Sequence, residues 1–315
     1  MFLTVTPNAG LDRILFIDRF EPQTTMRTRK MLDAVGGKGH DISVAVRCLG
    51  QETVAVSFKA GVVGETLAGL LSAHGIQADL VDIPGETRLA HVIIEEALHQ
   101  HSHITTRGYT VIEANHRSLL ERLRVHLPRA SWLAAGGSLP EGLPESFYGE
   151  VTALAHEHGV PVLVDASGPP ALGALSSRPD ILKMNLQEFR ATFNTVASSL
   201  ESAATSCHQL LGTHSLPCLV VTNGSQGILA ATSSNVSLTW GPAQQEVNAA
   251  GAGDAASAAL LWRLGLGDDQ LAALRWAAAA GSAAVLTEET AVFDLQVAWD
   301  ILPRIEQTIL WEPTK

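Results

Sequence analysis

The chain has 315 residues, of which 46% are hydrophobic and 17% are charged, and its formal net charge is −11. This composition supports a sizeable packed core and excludes a disordered chain. The negative charge argues against nucleic acid and anionic membranes as partners, because the summed field repels polyphosphates. Any anionic ligand must therefore be held by local cations.

The cysteines and the N-terminal residues predict a cytoplasmic protein. Cys48, Cys207 and Cys218 show neither CxxC nor Cys/His metal spacing, which suits a reducing compartment. No basic run precedes an apolar stretch at the N-terminus, so no signal peptide is expected. The most apolar stretch, 272–286, contains Arg275 and is too short for a membrane span.

The first 115 residues contain four β-branched, partly alternating segments with charged neighbours. They predict strands exposed on one face, at 13–20, 27–34, 89–97 and 104–110. Between the two pairs, the patterns predict helices at 39–49 and 65–74 and a buried strand at 54–58. We therefore expect a small sheet, with strands within about 11–35 and 87–111, inserted into the main domain as a lid.

From about residue 118 onward, helical and strand-like patterns alternate, as in a wound parallel sheet. Short apolar runs predict strands buried on both faces, at 131–135, 161–165, 181–184 and 218–222. Helices predicted at 119–127 and 145–158 would be crossovers. Each strand is followed by small or polar residues, which predicts a ligand site at the carboxyl ends of the strands.

The segment Gly251-Ala252-Gly253-Asp254 precedes an Ala-rich run and so lies at the start of a helix. Free backbone N–H groups at such a start form an anion site. Asp254, in the first turn, is placed to accept a proton from a hydroxyl aimed at that anion, as phosphoryl transfer requires. An acidic residue that merely favours the helix dipole is the alternative interpretation.

The same segment also fits G-x-G-x-x-A, a dinucleotide-binding fingerprint. Such a fingerprint normally follows the first strand of a βαβ unit, with an acidic residue about 20 positions on. Here the motif lies near the C-terminus, and Asp268 and Asp269 follow only the first helix. A dinucleotide enzyme is therefore disfavoured.

A second glycine-rich turn, Gly36-Gly37-Lys38-Gly39-His40-Asp41, also precedes a predicted helix. Backbone without side chains can approach a ligand closely there, although the motif also fits an ordinary turn and is not a Walker A loop. Asp12 and Asp41 flank the junction of lid and core. Paired carboxylates suit hydrogen bonds to vicinal sugar hydroxyls, and helix capping is their alternative role.

Three arginines of the predicted lid strands, Arg27, Arg88 and Arg107, are candidates to clamp a substrate phosphate. Exposed arginines are common on an edge sheet, so this grouping carries weight only together with the other motifs.

Taken together and in this order, these segments resemble the PfkB (ribokinase-like) carbohydrate kinases, in particular the branch of 1-phosphofructokinase and tagatose-6-phosphate kinase. The resemblance covers nearly the whole chain. Besides the two glycine motifs, it rests on TPNAGLD at 6–12, ETR at 86–88, GSLPEG at 137–142, VDASG at 164–168 and KMNLQE at 183–188.

The resemblance implies a ribokinase-like three-layer α/β/α fold, with a mostly parallel sheet and a small β-sheet lid, in a single domain over 1–315. It implies a kinase in which Asp254 is the catalytic base and the N–H groups of Gly251, Ala252 and Gly253 form the anion hole. The residues that it implies for the sugar are Asp12, Gly37, Lys38 and Asp41. Those that it implies for a substrate phosphate are Arg27, Arg88 and Ser138.

The resemblance further implies ATP and Mg²⁺ as cofactors and adds a monovalent cation as a candidate. The residues that it implies near the nucleotide are Lys183, Asn185, Glu188, Thr222, Asn223, Gly224, Gly227 and Ser282. Asn185 and Glu188 would hold Mg²⁺ through water. A homodimer that pairs through the lid strands is the expected assembly.

Three departures from the family's pattern bear on the substrate. Asp41 stands where the family usually has Asn, Asn248-Ala249 where it has Asp or Asn-Thr, and 103–109 where the branch has Thr-Glu-Ile-Asn-x-Pro-Gly. The leading hypothesis is phosphorylation of a ketohexose phosphate, with fructose 1-phosphate, fructose 6-phosphate and tagatose 6-phosphate as candidates. The alternatives are a kinase for an unphosphorylated sugar or nucleoside, and a catalytically silent sugar or nucleotide sensor.

Overall fold

A computed structural model describes residues 1–95, 97–98 and 100–313. The strands in this part of the chain are β1 Phe2–Thr6, β2 Gly10–Ile17, β3 Lys30–Gly36, β4 Thr53–Lys59, β5 Gln77–Asp82, β6 Arg88–Glu95, β7 Gln100–Thr105, β8 Trp132–Gly136, β9 Val162–Asp165, β10 Ile181–Asn185, β11 Cys218–Thr222, β12 Ile228–Thr232, β13 Val236–Trp240 and β14 Glu306–Trp311. The α-helices are α1 Lys38–Cys48, α2 Gly61–Ala73, α3 Glu113–His126, α4 Phe147–Glu157, α5 Gly168–Ala174, α6 Leu186–Phe193, α7 Leu200–His214, α8 Ala252–Gly265, α9 Gln270–Ala284 and α10 Leu295–Ile301. Among the described helices, none is both long and apolar enough to cross a membrane.

A large sheet runs through the centre of the molecule, in the order β14-β13-β12-β11-β10-β9-β8-β1-β4-β5. The strands from β5 to β11 in this order pair in parallel, and β12, β13 and β14 extend the sheet in antiparallel fashion. Among the parallel strands, β4 and β8 to β11 were predicted by their apolar runs, whereas β1 and β5 were not predicted. The antiparallel extension was not predicted.

Helices cover both faces of this sheet because its central strands are apolar on both sides. Leu3 and Val5 of β1 pack in the core that contains α3 and α4, whereas Phe2 packs on the opposite face with α1, α8 and α9. Alternate residues of a strand point to opposite faces. The three-layer α/β/α architecture is therefore confirmed.

A separate four-stranded sheet, in the order β3-β2-β6-β7, forms the predicted lid. Its own apolar cluster contains Ile14, Phe16, Ala34, Val92 and Ile94. Both halves of the predicted lid contribute two strands each, and β2 from the first half pairs in parallel with β6 from the second.

Three of the predicted lid strands were misplaced along the chain, and the first of them, predicted at 13–20, is β2 at Gly10–Ile17. β3 begins at Lys30, because its ladder with β2 runs from Phe16 opposite Lys30 to Gly10 opposite Gly36. Arg27 therefore lies in the connection 18–29 and not on a strand. β7 ends at Thr105, so Arg107 follows the strand, and Tyr109 turns into the core instead of extending the sheet.

Candidate active site

A sharp turn at Gly251 starts helix α8. Gly251 has φ +78°, and a Cβ atom there would lie 2.3 Å from the backbone nitrogen of Ala291. Only glycine fits both the positive φ and this close approach. The turn aims the first amides of α8 and the side chain of Asp254 at one cavity, where a helix N-terminus favours negative charge.

The loop before α8 is held by Asn248, a residue for which the sequence predicted no role. Its Oδ1 atom accepts from the Ala250 N–H at 3.0 Å, and its Nδ2 atom donates to the Glu288 carbonyl at 3.0 Å. The Ala252 N–H donates to the Ala249 carbonyl at 3.3 Å. Of the three amides expected to bind an anion, Ala252 thus has a long internal hydrogen bond that an anion would have to replace.

A cluster of two buried and two partly exposed charges lies beside this helix start. Asp165, at the end of β9, places Oδ1 2.5 Å from Lys38 Nζ, and its Oδ2 atom accepts from Lys183 Nζ. Lys38 Nζ also contacts Glu188 Oε1 at 3.2 Å. Burial raises the pKa of Asp165, but the charges of Lys183 and Lys38 overcome it and bring the pKa to about 2.

Asp165 holds both ammonium groups near the N-terminus of α8. Lys183 is its direct partner in the β9–β10 ladder, and a Cβ atom on Gly253 would lie 3.5 Å from Lys183 Nζ. Asp165 was not among the predicted site residues, although its motif, VDASG, was recognised. Lys38 was predicted to bind the sugar, but its Nζ atom lies with Asp165 and Glu188 at the cavity.

Asp254 faces this cluster across the start of α8. Burial raises its pKa, the charge of Asp165 raises it further, and Lys183 and Lys38 oppose both effects, which leaves a pKa of about 7. A carboxyl group with this pKa can take up and release a proton near neutral pH. This is the property required of a general base.

On the lid side of Asp254, two more carboxyl groups, one buried and one half-buried, lie near one guanidinium. Asp41 is 6% exposed, and its Oδ1 atom has no hydrogen-bond partner among the described residues. Burial raises the pKa of Asp41 well above its usual range, with help from the charges of Asp254 and Asp12 and against that of Arg88. Burial also raises the pKa of Asp12 to about 6, again opposed by Arg88.

Two glycines on the lid strands leave space for the side chains of Asp12 and Arg88. A Cβ atom on Gly36 would lie 2.3 Å from Asp12 Oδ1, and one on Gly10 would lie 3.0 Å from the Arg88 side chain. Gly10 and Arg88 are partners in the β2–β6 ladder. The absence of side chains at these two positions lets Asp12 and Arg88 extend across the lid sheet.

Arg88 belongs to a polar chain that reaches the end of β8. Its Nε atom donates to the Asn8 carbonyl at 3.1 Å, and Asn8 Nδ2 donates to Ser138 Oγ at 3.0 Å. The Oδ1 atom of Asn8 is buried without a partner among the described residues. The predicted phosphate residues Arg88 and Ser138 therefore come together through Asn8, whereas Arg27 is exposed in the connection 18–29.

The turn that carries Asn8 is fixed by a tyrosine from the segment after the lid. The Tyr109 hydroxyl donates to the Pro7 carbonyl and accepts from the Ala9 N–H, each at 2.9 Å. Tyr109 is the last residue of the segment 103–109, which departs from the family's pattern. Its buried side chain shows that this segment supports the site from within the core.

A cavity of about 360 Å³ opens next to Asp254 and the lysines. The predicted nucleotide residues that line it are Lys183, Asn185, Glu188, Thr222, Gly224, Gly227 and Ser282. Asn223 instead holds a turn, because its N–H donates to the Gly227 carbonyl and its Nδ2 atom donates to Gln226 Oε1. Residues 241–244 and 277–278 also line the cavity, and the sequence had not predicted them there.

Small residues of α8 and α9 give this cavity an apolar wall. Ala252, Ala256, Ala277 and Gly281 line it, and a Cβ atom on Gly281 would lie 3.2 Å from the Ala252 carbonyl. The two helices therefore pack closely and leave a smooth surface on which a flat base can lie.

Asn185 and Glu188, predicted to hold Mg²⁺ through water, form a capping box at the start of α6. Asn185 Oδ1 accepts from the Glu188 N–H and Glu188 Oε2 from the Asn185 N–H, both at 2.8 Å. In the described part of the chain, no three His, Cys, Asp or Glu side chains are grouped to hold a metal alone. Mg²⁺ at phosphate sites is commonly bound by one or two carboxylates together with water and phosphate oxygens, and these residues fit that arrangement.

The fold and the helix-start site together define a phosphotransferase of the ribokinase-like type. The chain matches the profile of the pfkB family carbohydrate kinases over residues 8–296. It belongs to this family, and the prediction of a carbohydrate kinase is confirmed.

Similar proteins cover almost the same length. The chain is 29% identical to the D-tagatose-1-phosphate kinase of Bacillus licheniformis, over 90% of this chain and 91% of that one. It is 30% identical to the 1-phosphofructokinase of Rhodobacter capsulatus, over 88% and 87%. The solved structure of a possible 1-phosphofructokinase from Thermotoga maritima superimposes with a TM-score of 0.89 at 25% identity, over 98% and 99%.

Proposed function

We propose that this kinase transfers the γ-phosphoryl group of ATP to a hydroxyl group of a ketohexose phosphate, with Asp254 as the general base. The observation that carries the proposal is the position of Asp254, between the cavity with Lys38 and Lys183 and the lid-side group of Asp12, Asp41 and Arg88. The names of the two curated relatives support a ketohexose phosphate as the acceptor.

In the proposed step, the sugar hydroxyl oxygen attacks the γ-phosphorus and its proton passes to a carboxylate oxygen of Asp254. The new O–P bond forms as the bond from the γ-phosphorus to the bridging oxygen breaks, and that electron pair leaves with ADP. General-base assistance of this kind contributes roughly 10²-fold to 10⁴-fold in rate.

The negative charge of the reacting phosphates is met by local groups, as the net charge of −11 requires. Lys38 and Lys183 present ammonium groups beside the first amides of α8, around Gly251, Ala252 and Gly253. Donors fixed in place before reaction stabilise developing charge without reorganisation. Asp165 supplies that fixation, because it accepts from both lysines.

The sugar would lie against Asp12, Gly37 and Asp41, under the lid, with its phosphate toward Arg88, Asn8 and Ser138. Arg88 and Ser138 already belong to one hydrogen-bonded chain, which suits a phosphate that needs several donors. Arg27 stays a proposed phosphate ligand on the family resemblance alone.

Mg²⁺, when bound, would neutralise phosphate charge and align the phosphates for in-line transfer. Asn185 and Glu188 would hold its water ligands at the edge of the cavity. A monovalent cation is proposed as a second ion on the family resemblance.

A homodimer through the lid is proposed as the assembly. β7 is exposed along its whole length, and Met31 of β3 and Ile104 of β7 are large apolar side chains in contact with solvent. An exposed strand edge is a ready template for pairing with a second chain. Ile104→Lys should leave a monomer by light scattering, and an unchanged mass for this variant would count against the lid as the interface.

A kinase for an unphosphorylated sugar is the second candidate. It is favoured by the exposure of Arg27 and by the engagement of Arg88 with the Asn8 carbonyl, which together leave fewer free donors for a phosphate.

The test is ADP release from Mg-ATP against a panel of ketohexose phosphates, free sugars and nucleosides, with Asp254→Asn in parallel. Turnover of a ketohexose phosphate that the variant loses is the expected result. Turnover of neutral substrates alone would replace the proposal by the second candidate. If the folded protein releases no ADP with any compound of the panel, the result would favour a catalytically silent sugar or nucleotide sensor.

A further inference from the structure

We propose that Asp41 serves this site as a neutral carboxylic acid, whose O–H donates a hydrogen bond to a hydroxyl oxygen of the sugar and so selects the substrate's orientation. This inference rests on the proposed function, because it assumes that the sugar binds beside Asp254 in the site described above. It makes Asp41 a specificity-determining residue that differs in chemistry from the carboxylate of Asp254 next to it.

The geometry of Asp41 is the first support. Asp41 lies in the first turn of α1 and is 6% exposed, yet its Oδ1 atom has no hydrogen-bond partner among the described residues. A buried polar atom without a partner costs free energy unless a ligand or water completes it. The electrostatic neighbours of this carboxyl group are the side chains proposed to surround the sugar, so the sugar is its natural partner.

The charges that face Asp41 are the second support. Asp254 of α8 and Asp12 of β2 are both carboxyl groups, and Arg88 of β6 is the cation that opposes them. An ionised Asp41 would add a third negative charge to the group of Asp254 and Asp12, and Arg88 is the one cation among the causes that lower its pKa. Burial and these two carboxyl groups raise the pKa of Asp41 well above that of an ordinary aspartate, against the charge of Arg88 and a backbone hydrogen bond from Gly37, and so favour the acid form.

The remaining titratable groups around α1 do not neutralise Asp41. Strands β1 and β8, which pack against α1, contain no titratable side chain. Burial lowers the pKa of His40 to about 4, so this neighbour is uncharged at neutral pH. The other charged residues on α1 and its packed elements are engaged elsewhere: Lys38 with Asp165 and Glu188, Arg47 with the Gln51 carbonyl, Lys30 with Glu288, Asp33 with Arg13, Lys59 with Glu65 and Asp82, and Arg263 with Asp268.

The chemical consequence is a change of hydrogen-bonding role. An ionised carboxylate only accepts hydrogen bonds, whereas a protonated one also donates through its O–H. Asp41 in the acid form therefore supplies a donor, as an asparagine would. When it loses its proton at high pH, it can only accept, so the sugar hydroxyl must turn its own O–H toward Asp41 and loses the hydrogen bond that this O–H donated elsewhere.

The experiment compares Asp41→Asn, Asp41→Ala and the unchanged protein by direct binding of the ketohexose phosphate that is turned over, from pH 6 to pH 9.5. Asp41→Asn keeps a donor and cannot ionise, so the alkaline loss of affinity seen in the unchanged protein should disappear in this variant. Asp41→Ala should weaken binding about 10-fold to 100-fold at pH 6, because the sugar oxygen loses its donor. Glu113→Gln, on the surface of α3, is the control for loss of a carboxylate.

Two readouts separate this inference from the proposed function. The acid limb of kcat/KM should keep its position in Asp41→Asn, since a neutral Asp41 adds no charge to Asp254. The second readout is the ¹³C NMR signal of the Asp41 carboxyl group, which is assigned by its absence from the spectrum of Asp41→Asn. In the unchanged protein, this signal should have the chemical shift of a protonated acid at pH 7. An acid limb of kcat/KM that moves to lower pH in Asp41→Asn, or the signal of an ionised carboxylate at pH 7, would overturn the inference and leave the proposed kinase activity intact.

Absence of binding by every ketohexose phosphate would overturn the proposed function and this inference with it.

Discussion

Lys38 Nζ lies 2.5 Å from Asp165 Oδ1, and this ion pair joins the first turn of α1 to the end of β9. The second oxygen of the same carboxylate accepts from Lys183 of β10. One buried aspartate therefore fixes both ammonium groups that face Asp254. The site depends on this carboxylate even though it is not placed to touch the sugar.

Asp165→Asn should destabilise the protein by about 3–5 kcal/mol, because the buried ammonium group of Lys183 would lose its anion, whereas the partly exposed Lys38 would keep Glu188. Urea unfolding measures the change. Glu113→Gln, which removes an exposed carboxylate that pairs with Arg117, should change the free energy of unfolding by less than about 1 kcal/mol. Equal losses in the two variants would contradict the structural role of Asp165.

Asp254→Asn should keep the fold and lower kcat by roughly 10²-fold to 10⁴-fold, because the sugar hydroxyl would lose its proton acceptor. Steady-state kinetics with circular dichroism as the check on folding measures this. Asp268→Asn, at the far end of α8 and paired with Arg263, is the matched control and should turn over at the normal rate. An unchanged kcat in Asp254→Asn would remove it from the role of base.

Arg88→Ala should raise KM for the phosphosugar about 10-fold to 100-fold, as expected for loss of a charge-assisted hydrogen bond. Binding of the corresponding unphosphorylated sugar should change much less. Arg27→Ala, measured in the same assays, tests whether the exposed connection 18–29 also reaches the phosphate. Equal weakening of both ligands by Arg88→Ala would show that the arginine holds the lid and not the phosphate.

The rate should fall on the acid side with an apparent pKa near 7. Burial and the charge of Asp165 raise the pKa of Asp254 to about 7, and the base works only when it is ionised. kcat/KM should therefore be small at pH 5.5 and rise through pH 7. A profile that is flat from pH 5 to pH 8 would mean that Asp254 is ionised throughout or does not act as the base.

The same pKa predicts how stability changes with pH. The folded protein holds a proton on Asp254 up to about pH 7, whereas the unfolded chain releases it near pH 3.8, so this group makes the protein less stable as pH rises through that window. Asp254→Asn should then be more stable than the unchanged protein at pH 8, by about 1–3 kcal/mol, and little different at pH 4. Denaturant unfolding at both pH values is the measurement. A variant that is less stable at pH 8 would mean that the lysines dominate the environment of Asp254.

Local sequence signals were sufficient for five strands of the central sheet, β4 and β8 to β11, and for the start of α8. The runs at 161–165 and 218–222 are apolar up to their last residues, Asp165 and Thr222, as a strand covered on both faces requires, and they lie where the structure has β9 and β11. The glycines before Asp254 predicted a helix start because they free the first amides, and α8 begins at Ala252.

The lid was predicted as a sheet, but three of its strands, β2, β3 and β7, were placed wrongly. The β-branched residues at 28 and 104–106 favour extended backbone wherever they stand, while a strand exists only where a partner offers its hydrogen bonds. β2 offers partners to Lys30 through Gly36, and β6 to Gln100 through Thr105. Such pairing is set by tertiary contacts and carries no local signature.

The sequence by itself determined the family, the order of the layers and the residue types of the site, because apolar periodicity and glycine placement act over a few residues. Tertiary structure decided which charges meet. Asp12, Asp41, Arg88 and Asp254 come from β2, α1, β6 and α8, far apart along the chain, and converge only when the lid folds over the carboxyl ends of the sheet. Their protonation depends on burial and on each other's charge, and both arise only from that convergence.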